Sequence, residues 1–155
     1  MNDKFHNIIE SLEPSFQRLL QMKAVTAKSL PKIMPSSGIY LFSEGYKHLY
    51  VGRSNRLRQR LQEHCRPSAN HNTAPFGFRL AREATGCTLA SYTEEGSRED
   101  LEKDPNFKAE FVKAKERIGK MGVRVIEETD ALRQALLEMY VSICLATPHN
   151  DFDNH

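Results

Sequence analysis

The sequence lacks the features that mark several large classes of protein. No apolar run approaches the roughly 20 residues that a membrane-spanning helix needs, so we expect no membrane partner. The N-terminal residues show no basic segment followed by an apolar stretch, so we expect no secretory signal. A G-x-S-x-G elbow, a Walker loop and a dinucleotide fingerprint are also missing, and the chemistry that these motifs serve therefore has no support.

Cysteine is scarce as well. The three cysteines, Cys65, Cys87 and Cys144, are odd in number and have no CxxC spacing. This pattern argues against a disulfide framework and against a zinc ribbon. His64 and His71 lie near Cys65, but no second ligand pair follows at zinc-finger spacing. We therefore expect reduced thiols in a cytoplasmic protein.

The residues that are present fit one globular domain with an uneven surface charge. The chain has 155 residues, of which 39% are hydrophobic and 27% charged, which is enough for one ordinary core. The formal net charge is only +2, but residues 47–82 contain eight basic residues and one acid. Residues 94–104 contain six acids and two basic residues. Such segregation can focus a polyanion on one surface, although two solvated faces would give the same pattern.

Hydrophobic periodicity predicts both helices and strands. Apolar spacings of three and four over residues 7–22 predict an amphipathic helix. The stretches 38–42 and 49–51 predict an antiparallel hairpin, and 123–127 predicts a third strand. Residues 86–97 fit either a short strand or an extended loop. Further helices are predicted over residues 55–65, 76–84, 105–121 and 131–146.

The predicted fold class is α+β: a small three-stranded antiparallel sheet flanked by helices, with an N-terminal amphipathic helix. We divide the chain into a helical extension, residues 1–33, and a main domain, residues 34–155. Ser54 or Asn55 can cap the helix after the hairpin, and Asp130 can cap the last helix.

Glu138 is an unusual residue in the last predicted helix. It is the only charged residue from Gln134 to Thr147, and leucines precede it directly. A carboxylate in apolar surroundings is unfavourable unless it is paired or binds a cation. An ion pair with an arginine or a bond to the backbone would explain Glu138 structurally. A metal ligand or a catalytic acid would explain it functionally.

Tyr40 and Tyr50 lie on adjacent predicted strands. Two aromatics that pack across the strand pair would explain them structurally. If their hydroxyls meet at a cavity, they can position or deprotonate a water, but a phenol with its ordinary pKa of about 10 needs a nearby cation. Arg53 and Arg60 can be that cation, and an arginine there can also grip a phosphate with two parallel bonds. A surface salt bridge is the alternative for Arg60. The candidate acids are Glu63 and Glu116.

The ordered set of these residues resembles a known family. Gly38-Ile39-Tyr40 and Tyr50-Val51-Gly52, nine residues apart, resemble the signature of the GIY-YIG nuclease superfamily. Residues 53–64 resemble the family's polar turn and its helix with an arginine and a histidine. Glu138 and Asn150 resemble its glutamate helix and its asparagine end. The chain is therefore identified as a small, stand-alone, bacterial-type member of this superfamily, and the resemblance covers most of its length.

The resemblance implies metal-assisted hydrolysis of phosphodiester bonds in DNA by an endonuclease that uses one divalent cation, Mg²⁺ or Mn²⁺. It implies that Glu138 is the metal ligand and that one of Tyr40 and Tyr50 helps to activate the water, with Tyr50 slightly preferred. Arg60 stabilises the phosphoryl charge in this interpretation, and His64 contacts a phosphate or assists proton transfer. The implied substrate-binding residues are Arg53, Arg56, Arg58 and Asn150. Gly38 and Gly52 belong to the structural motif.

Several properties stay open in the sequence. Asn154 competes with Asn150 for the family's asparagine position. Residues 65–121 form a helical insertion that is longer than in compact members, and no added DNA-reading module is apparent. The resemblance then implies weak sequence reading, a protein partner that supplies DNA specificity, or specificity built into the insertion. A double-strand cut from one active site would need a homodimer or two encounters, and the biological role, from DNA repair to restriction, stays open. A nucleic-acid-binding or protein-interaction module that retains the fold without turnover is the alternative function.

Overall fold

A three-stranded antiparallel sheet organises the chain, whose computed structural model describes residues 1–87 and 97–152. The strands are β1 (Gly38–Glu44), β2 (Lys47–Ser54) and β3 (Gly122–Glu127), in the order β2-β1-β3. The central strand β1 is antiparallel to both neighbours. A turn at Gly45, with φ of +57°, connects β1 to β2. The predicted sheet is confirmed, and β2 is one of its two edge strands.

Helices cover both faces of this sheet. Those of the described residues are α1 (Asp3–Gln21), α2 (Leu57–Cys65), α3 (Pro75–Thr85), α4 (Arg98–Lys103), α5 (Pro105–Gly119) and α6 (Ala131–Leu145). Helices α1 and α6 pack on one face, where Ile39 and Leu41 of β1 meet Leu137. Helices α2, α3 and α5 pack on the other face, where Tyr40 and Phe42 of β1 are buried. The predicted α+β class is therefore confirmed.

One local prediction about the helices is wrong, and one short helix was not predicted. Neither Ser54 nor Asn55 is the N-cap of α2, because the helix begins at Leu57 and Arg56 occupies that position without a side-chain bond. The Ser54 hydroxyl instead accepts from the Arg56 amide at 2.9 Å, and the Leu57 amide donates to the Ser36 carbonyl at 2.9 Å. The short helix α4 was not predicted, because its acidic sequence has no apolar periodicity. Residues 88–96, most of the ambiguous stretch 86–97, lie outside the described residues.

The N-terminal helix α1 is packed into the main domain. Its buried residues Leu12 and Leu19 share a cluster with Ile39 and Leu137. An isolated antiparallel bridge also joins Val25 to β3. The division into residues 1–33 and 34–155 stays a prediction. Within the described part of the chain, no helix combines the length and the apolar character needed to cross a membrane.

Candidate active site

Tyr40 extends from the centre of the sheet towards the edge strand β2. Its side chain is 1% exposed, and Tyr40 is paired with Gly52 across the two strands. A Cβ atom at Gly52 would overlap the Tyr40 hydroxyl. The glycine therefore has a steric function, because only a residue without a side chain leaves the Tyr40 ring this position.

His64 holds the Tyr40 hydroxyl from helix α2. The hydroxyl oxygen lies 2.7 Å from Nε2 of His64, whose side chain is fully buried. Burial lowers the pKa of His64 well below its usual value, and the charge of Arg60 lowers it further, so the ring is neutral. Nδ1 of His64 has no hydrogen-bond partner among the described residues. A buried N–H without an acceptor is rare, so we assign the hydrogen to Nε2, which then donates to the Tyr40 oxygen.

Tyr50 lies beside this pair with its ring packed on helix α3. The rings of Tyr50 and Phe76 are stacked, with centroids 4.6 Å apart and planes inclined by 6°. The Tyr50 ring is 6.4 Å from that of Tyr40 and 5.6 Å from that of His64. Burial raises the pKa of Tyr50 to about 12, although the charge of Arg60 opposes this effect. Burial raises the pKa of Tyr40 still more strongly, and the neighbouring Tyr50 adds to it.

Arg60 supplies the positive charge next to both tyrosines. Its Nη1 donates to the Thr73 carbonyl at 2.9 Å and to Oε2 of Glu63 at 3.3 Å. Glu63, rather than Glu116, is thus its acidic partner. The guanidinium remains partly exposed, so it can also reach a bound anion.

Glu138 approaches the site from helix α6, which packs against β2. Oε2 of Glu138 lies 3.0 Å from Nε of Arg53, and the two side chains are 21% and 46% exposed respectively. Burial raises the pKa of Glu138, and the charge of Arg53 opposes that rise. The charge of Glu138 also contributes to the raised pKa values of Tyr40 and Tyr50, so the carboxylate lies within electrostatic range of both hydroxyls. The expected arginine partner of Glu138 is therefore present.

Asn150 bonds to the outer edge of β2, where the described residues provide no neighbouring strand. Its side-chain oxygen accepts from the Val51 amide at 2.9 Å, and its side-chain nitrogen donates to the Val51 carbonyl at 2.7 Å. The Thr147 hydroxyl donates to the same oxygen of Asn150 at 2.8 Å. These bonds fix the edge strand beside Tyr50 and Gly52. Asn154, the competing asparagine, lies outside the described residues.

Comparison with known proteins identifies the domain that carries this site. The model of the GIY-YIG catalytic domain matches residues 36–102. Over residues 36–102, the chain therefore carries a GIY-YIG catalytic domain. The matched range contains Tyr40, Tyr50, Arg60 and His64, whereas Glu138 lies beyond it. Searches of curated proteins and of solved structures found no match to the chain.

The remaining residues of the GIY-YIG signature have structural partners. A Cβ atom at Gly38 would overlap the Ile126 carbonyl oxygen of β3, so the first glycine of the signature keeps β1 and β3 together. Arg58 donates to the carbonyls of Pro31 and Lys32, which ties the segment before β1 to helix α2.

Three partners of the site could not be found from the signature. Phe76 stacks on Tyr50, the Thr73 carbonyl accepts from Arg60, and Arg79 affects the pKa of Tyr50. Phe76 and Arg79 are three residues apart in a predicted helix, so the sequence predicts that they lie on the same face of that helix. Periodicity gave no indication of which partner that face contacts.

The donor set fits one hard divalent cation that keeps most of its water. No three His, Cys, Asp or Glu side chains come together as a cage in the described parts of the chain. Mg²⁺ is commonly held by one or two carboxylates, waters and substrate phosphate oxygens. Glu138, with a partly exposed carboxylate beside the basic site, matches this requirement.

Proposed function

We propose that this GIY-YIG protein is a metal-dependent DNA endonuclease that hydrolyses phosphodiester bonds. The observation that supports this proposal is the meeting of Tyr50, Arg60 and Glu138 around the edge strand β2. A purely structural site has no need for a carboxylate, a guanidinium and two phenols within electrostatic range of one another. The family supports the same chemical class and DNA as the substrate.

Arg60 is proposed to bind the scissile phosphate. Its guanidinium is oriented by the Thr73 carbonyl and by Glu63, and it is preorganised beside both phenols. Hydrolysis of a phosphodiester increases negative charge on the phosphoryl oxygens in the transition state. A fixed, charged donor aimed at those oxygens stabilises the transition state more than the substrate.

Tyr50 is proposed to be the base: its phenolate form orients the attacking water and accepts a proton from it. Its side chain is partly exposed, whereas Tyr40 is buried and bonded to His64. The pKa of Tyr50 is also the less elevated of the two. Tyr40 and His64 are then positioning residues: His64 donates to the Tyr40 oxygen and fixes it against Gly52.

Glu138 is proposed to be the ligand of one Mg²⁺ or Mn²⁺ ion. Such a cation, when bound, polarises a scissile phosphate and makes water a stronger nucleophile. Arg53 orients the Glu138 carboxylate and keeps it ionised at lower pH than burial alone would allow. Asn150 positions β2 and does not need to touch DNA in this proposal.

The flanking arginines are proposed to contact DNA phosphates outside the cleaved bond. The Arg56 side chain is exposed, and its guanidinium donates to the side-chain oxygen of Gln59 at 3.1 Å. Arg58 is partly committed to the backbone of residues 31–32, so we expect it to contribute less than Arg56. A double-strand cut would need a homodimer or two encounters, and a protein partner can supply specificity.

Cleavage of supercoiled plasmid DNA in the presence of Mg²⁺ tests the proposed function. The wild type is expected to nick the plasmid, and Arg60→Gln is expected to be about 100-fold slower or worse. Glu138→Gln is expected to be inactive in Mg²⁺ and in Mn²⁺. The matched controls are Glu116→Gln and Arg18→Gln, which change the same residue types at exposed helix positions away from the site.

Three results would decide against parts of the proposal. A wild type that nicks nothing with Mg²⁺ or Mn²⁺ but binds DNA in a salt-sensitive manner would support a non-catalytic binding module. Full activity of Glu138→Gln would reject the metal-ligand assignment and leave the enzyme assignment intact. Equal losses in Glu116→Gln and Glu138→Gln would indicate a general effect of removing acids.

A further inference from the structure

Arg79, on helix α3, lies next to the candidate site and has so far been given no role. It follows Phe76 by one helical turn, and Phe76 stacks directly on Tyr50. Although burial is the largest influence on the pKa of Tyr50, the charges of Arg60 and Arg79 both lower it. Two arginines from different helices are therefore close enough to influence the same phenol.

Two acidic side chains contact the Arg79 guanidinium in this structure. Its Nε lies 3.3 Å from Oε1 of Glu83, and its Nη1 lies 3.6 Å from Oδ2 of Asp151. Its Nη2 donates to the Pro148 carbonyl at 3.4 Å. The side chain is nevertheless 34% exposed. The long contact with Asp151 is therefore one that a stronger anionic acceptor can replace.

The acidic partner Asp151 is carried by a segment that other residues hold in place. Asn150 bonds to both backbone groups of Val51, and the His149 amide donates to the Leu49 carbonyl at 3.3 Å. The Asp151 carboxylate is thus kept beside Arg79 by bonds that do not depend on the ion pair. A phosphate diester offers a guanidinium two oxygens for a bidentate pair, which is a better match than a carboxylate oxygen at 3.6 Å.

We propose that Arg79 binds a DNA phosphate adjacent to the one being cleaved, and that Asp151 competes with this phosphate for the guanidinium. The proposal rests on the proposed function, because it concerns the DNA at the same site. Arg79 extends the phosphate-binding surface from α2 to α3. Asp151 weakens DNA binding at the same point, so the ion pair sets how tightly uncleaved DNA is held.

Equilibrium binding of a short DNA duplex without divalent cations tests this inference independently of cleavage. Arg79→Gln should weaken binding at low salt and reduce the slope of log K against log salt by about one. Arg79→Lys should restore most of that slope, because it restores the charge. Asp151→Asn should tighten binding, a change opposite in sign to that expected from simple damage to the fold.

The double variant separates direct competition from a general charge effect. In the Arg79→Gln background, Asp151→Asn should no longer tighten binding, because no guanidinium remains for Asp151 and the DNA phosphate to compete for. Arg18→Gln on α1 is the matched control and should leave the salt slope unchanged. Thermal unfolding of each variant should show one transition close to that of the wild type.

Two outcomes would overturn the inference. An unchanged salt slope in Arg79→Gln would show that this residue contacts no phosphate. Equal tightening by Asp151→Asn with and without Arg79 would show that the acid acts only through net charge. Failure of the wild type to cleave plasmid DNA would reject the nuclease instead, and it would leave these binding measurements interpretable.

Discussion

The two tyrosine hydroxyls of the site differ in how strongly burial suppresses their ionisation. Tyr40 is enclosed between β2 and helix α2, so its phenolate would have no contact with water. Tyr50 is partly exposed and lies near two arginines, which favour its phenolate. At the scale of single residues, access to water therefore makes the Tyr50 phenol easier to ionise than the Tyr40 phenol, although both are the same type of side chain.

The first prediction distinguishes these two hydroxyls. Tyr50→Phe removes the proposed base and should slow cleavage about 100-fold or more. Tyr40→Phe removes a positioning hydrogen bond and should slow cleavage about tenfold. Single-turnover cleavage of a short duplex measures both rates. A greater loss in Tyr40→Phe than in Tyr50→Phe would reverse the assignment of the base.

The second prediction concerns the pH dependence that Arg53 gives to Glu138. Burial raises the pKa of Glu138 and Arg53 lowers it, so Arg53→Gln should raise that pKa further. The metal site needs the ionised carboxylate, which forms only as the pH rises through this pKa. The acid limb of the pH–rate profile should therefore shift to higher pH in Arg53→Gln.

The position of that acid limb, rather than the rate, is the diagnostic quantity. Loss of a DNA contact would lower the rate at every pH and leave the midpoint where it is in the wild type. Arg18→Gln, at an exposed position of α1, should keep the wild-type midpoint. An unmoved midpoint in Arg53→Gln would contradict the proposed coupling.

At the scale of elements, β2 forms the site because it is an edge strand. Its outer backbone groups at Leu49 and Val51 are bonded by His149 and Asn150. Because Gly52 has no side chain, it leaves space beside β2, and the Tyr40 ring extends through this space towards the edge of the sheet. Glu138 approaches the same edge from α6, on the other face. A central strand, with neighbours on both sides, could not bring together side chains from both faces in this way.

The third prediction tests this steric function of Gly52. Gly52→Ala should displace the Tyr40 ring and break its bond to His64, because the added Cβ would overlap the phenol. We expect a loss of about 1–3 kcal/mol in the free energy of unfolding, together with strongly reduced cleavage. Thermal or urea unfolding and plasmid cleavage measure the two effects.

Gly45→Ala, in the turn of the same hairpin, is the matched control. Apart from Gly45 and its two chain neighbours, the described residues place no atom within 4 Å of a Cβ at this position, although its φ of +57° makes any side chain unfavourable. It should cost about 1 kcal/mol of stability and retain cleavage in the folded protein. Equal loss of activity in the two variants would argue that Gly52 has no special steric function.

At the scale of the whole molecule, the sheet separates two packed layers that serve different parts of the site. The layer of α2 and α3 contributes Arg60, His64 and the stacking partner of Tyr50. The layer of α1 and α6 contributes Glu138. Helix α1 packs against α6, and Tyr140 of α6 donates to Glu13 of α1. The N-terminal helix therefore supports the helix that holds the proposed metal ligand.

The fourth prediction concerns this support from α1. Leu12 of α1 is fully buried against α6 and β1. Leu12→Ala should therefore lower the free energy of unfolding by about 2–5 kcal/mol. Urea unfolding should still show one transition, because α1 shares its core with the sheet. Leu132→Ala, at an exposed leucine of α6, is the control and should cost far less. A separate early transition for α1 would show that residues 1–33 are an independent unit.

Sequence periodicity determined most of the helices and strands of this protein. It predicted three strands, helix α6 with its Asp130 cap, and helix α5. These features depend on local spacing and on capping between near neighbours, which a sequence displays directly. The order of glycines and tyrosines was enough to indicate the family.

Only the tertiary structure decided how those elements meet. Arg53 and Glu138 are 85 positions apart, and Asn150 and Val51 are 99 positions apart, so no local pattern joins them. The same applies to the choice between Glu63 and Glu116 for Arg60, and to the contact of Arg79 with Asp151. Such pairs form because buried surfaces of helices and sheet pack in one arrangement. Each contact then depends on the whole fold, whereas each helix or strand depends mainly on its own residues.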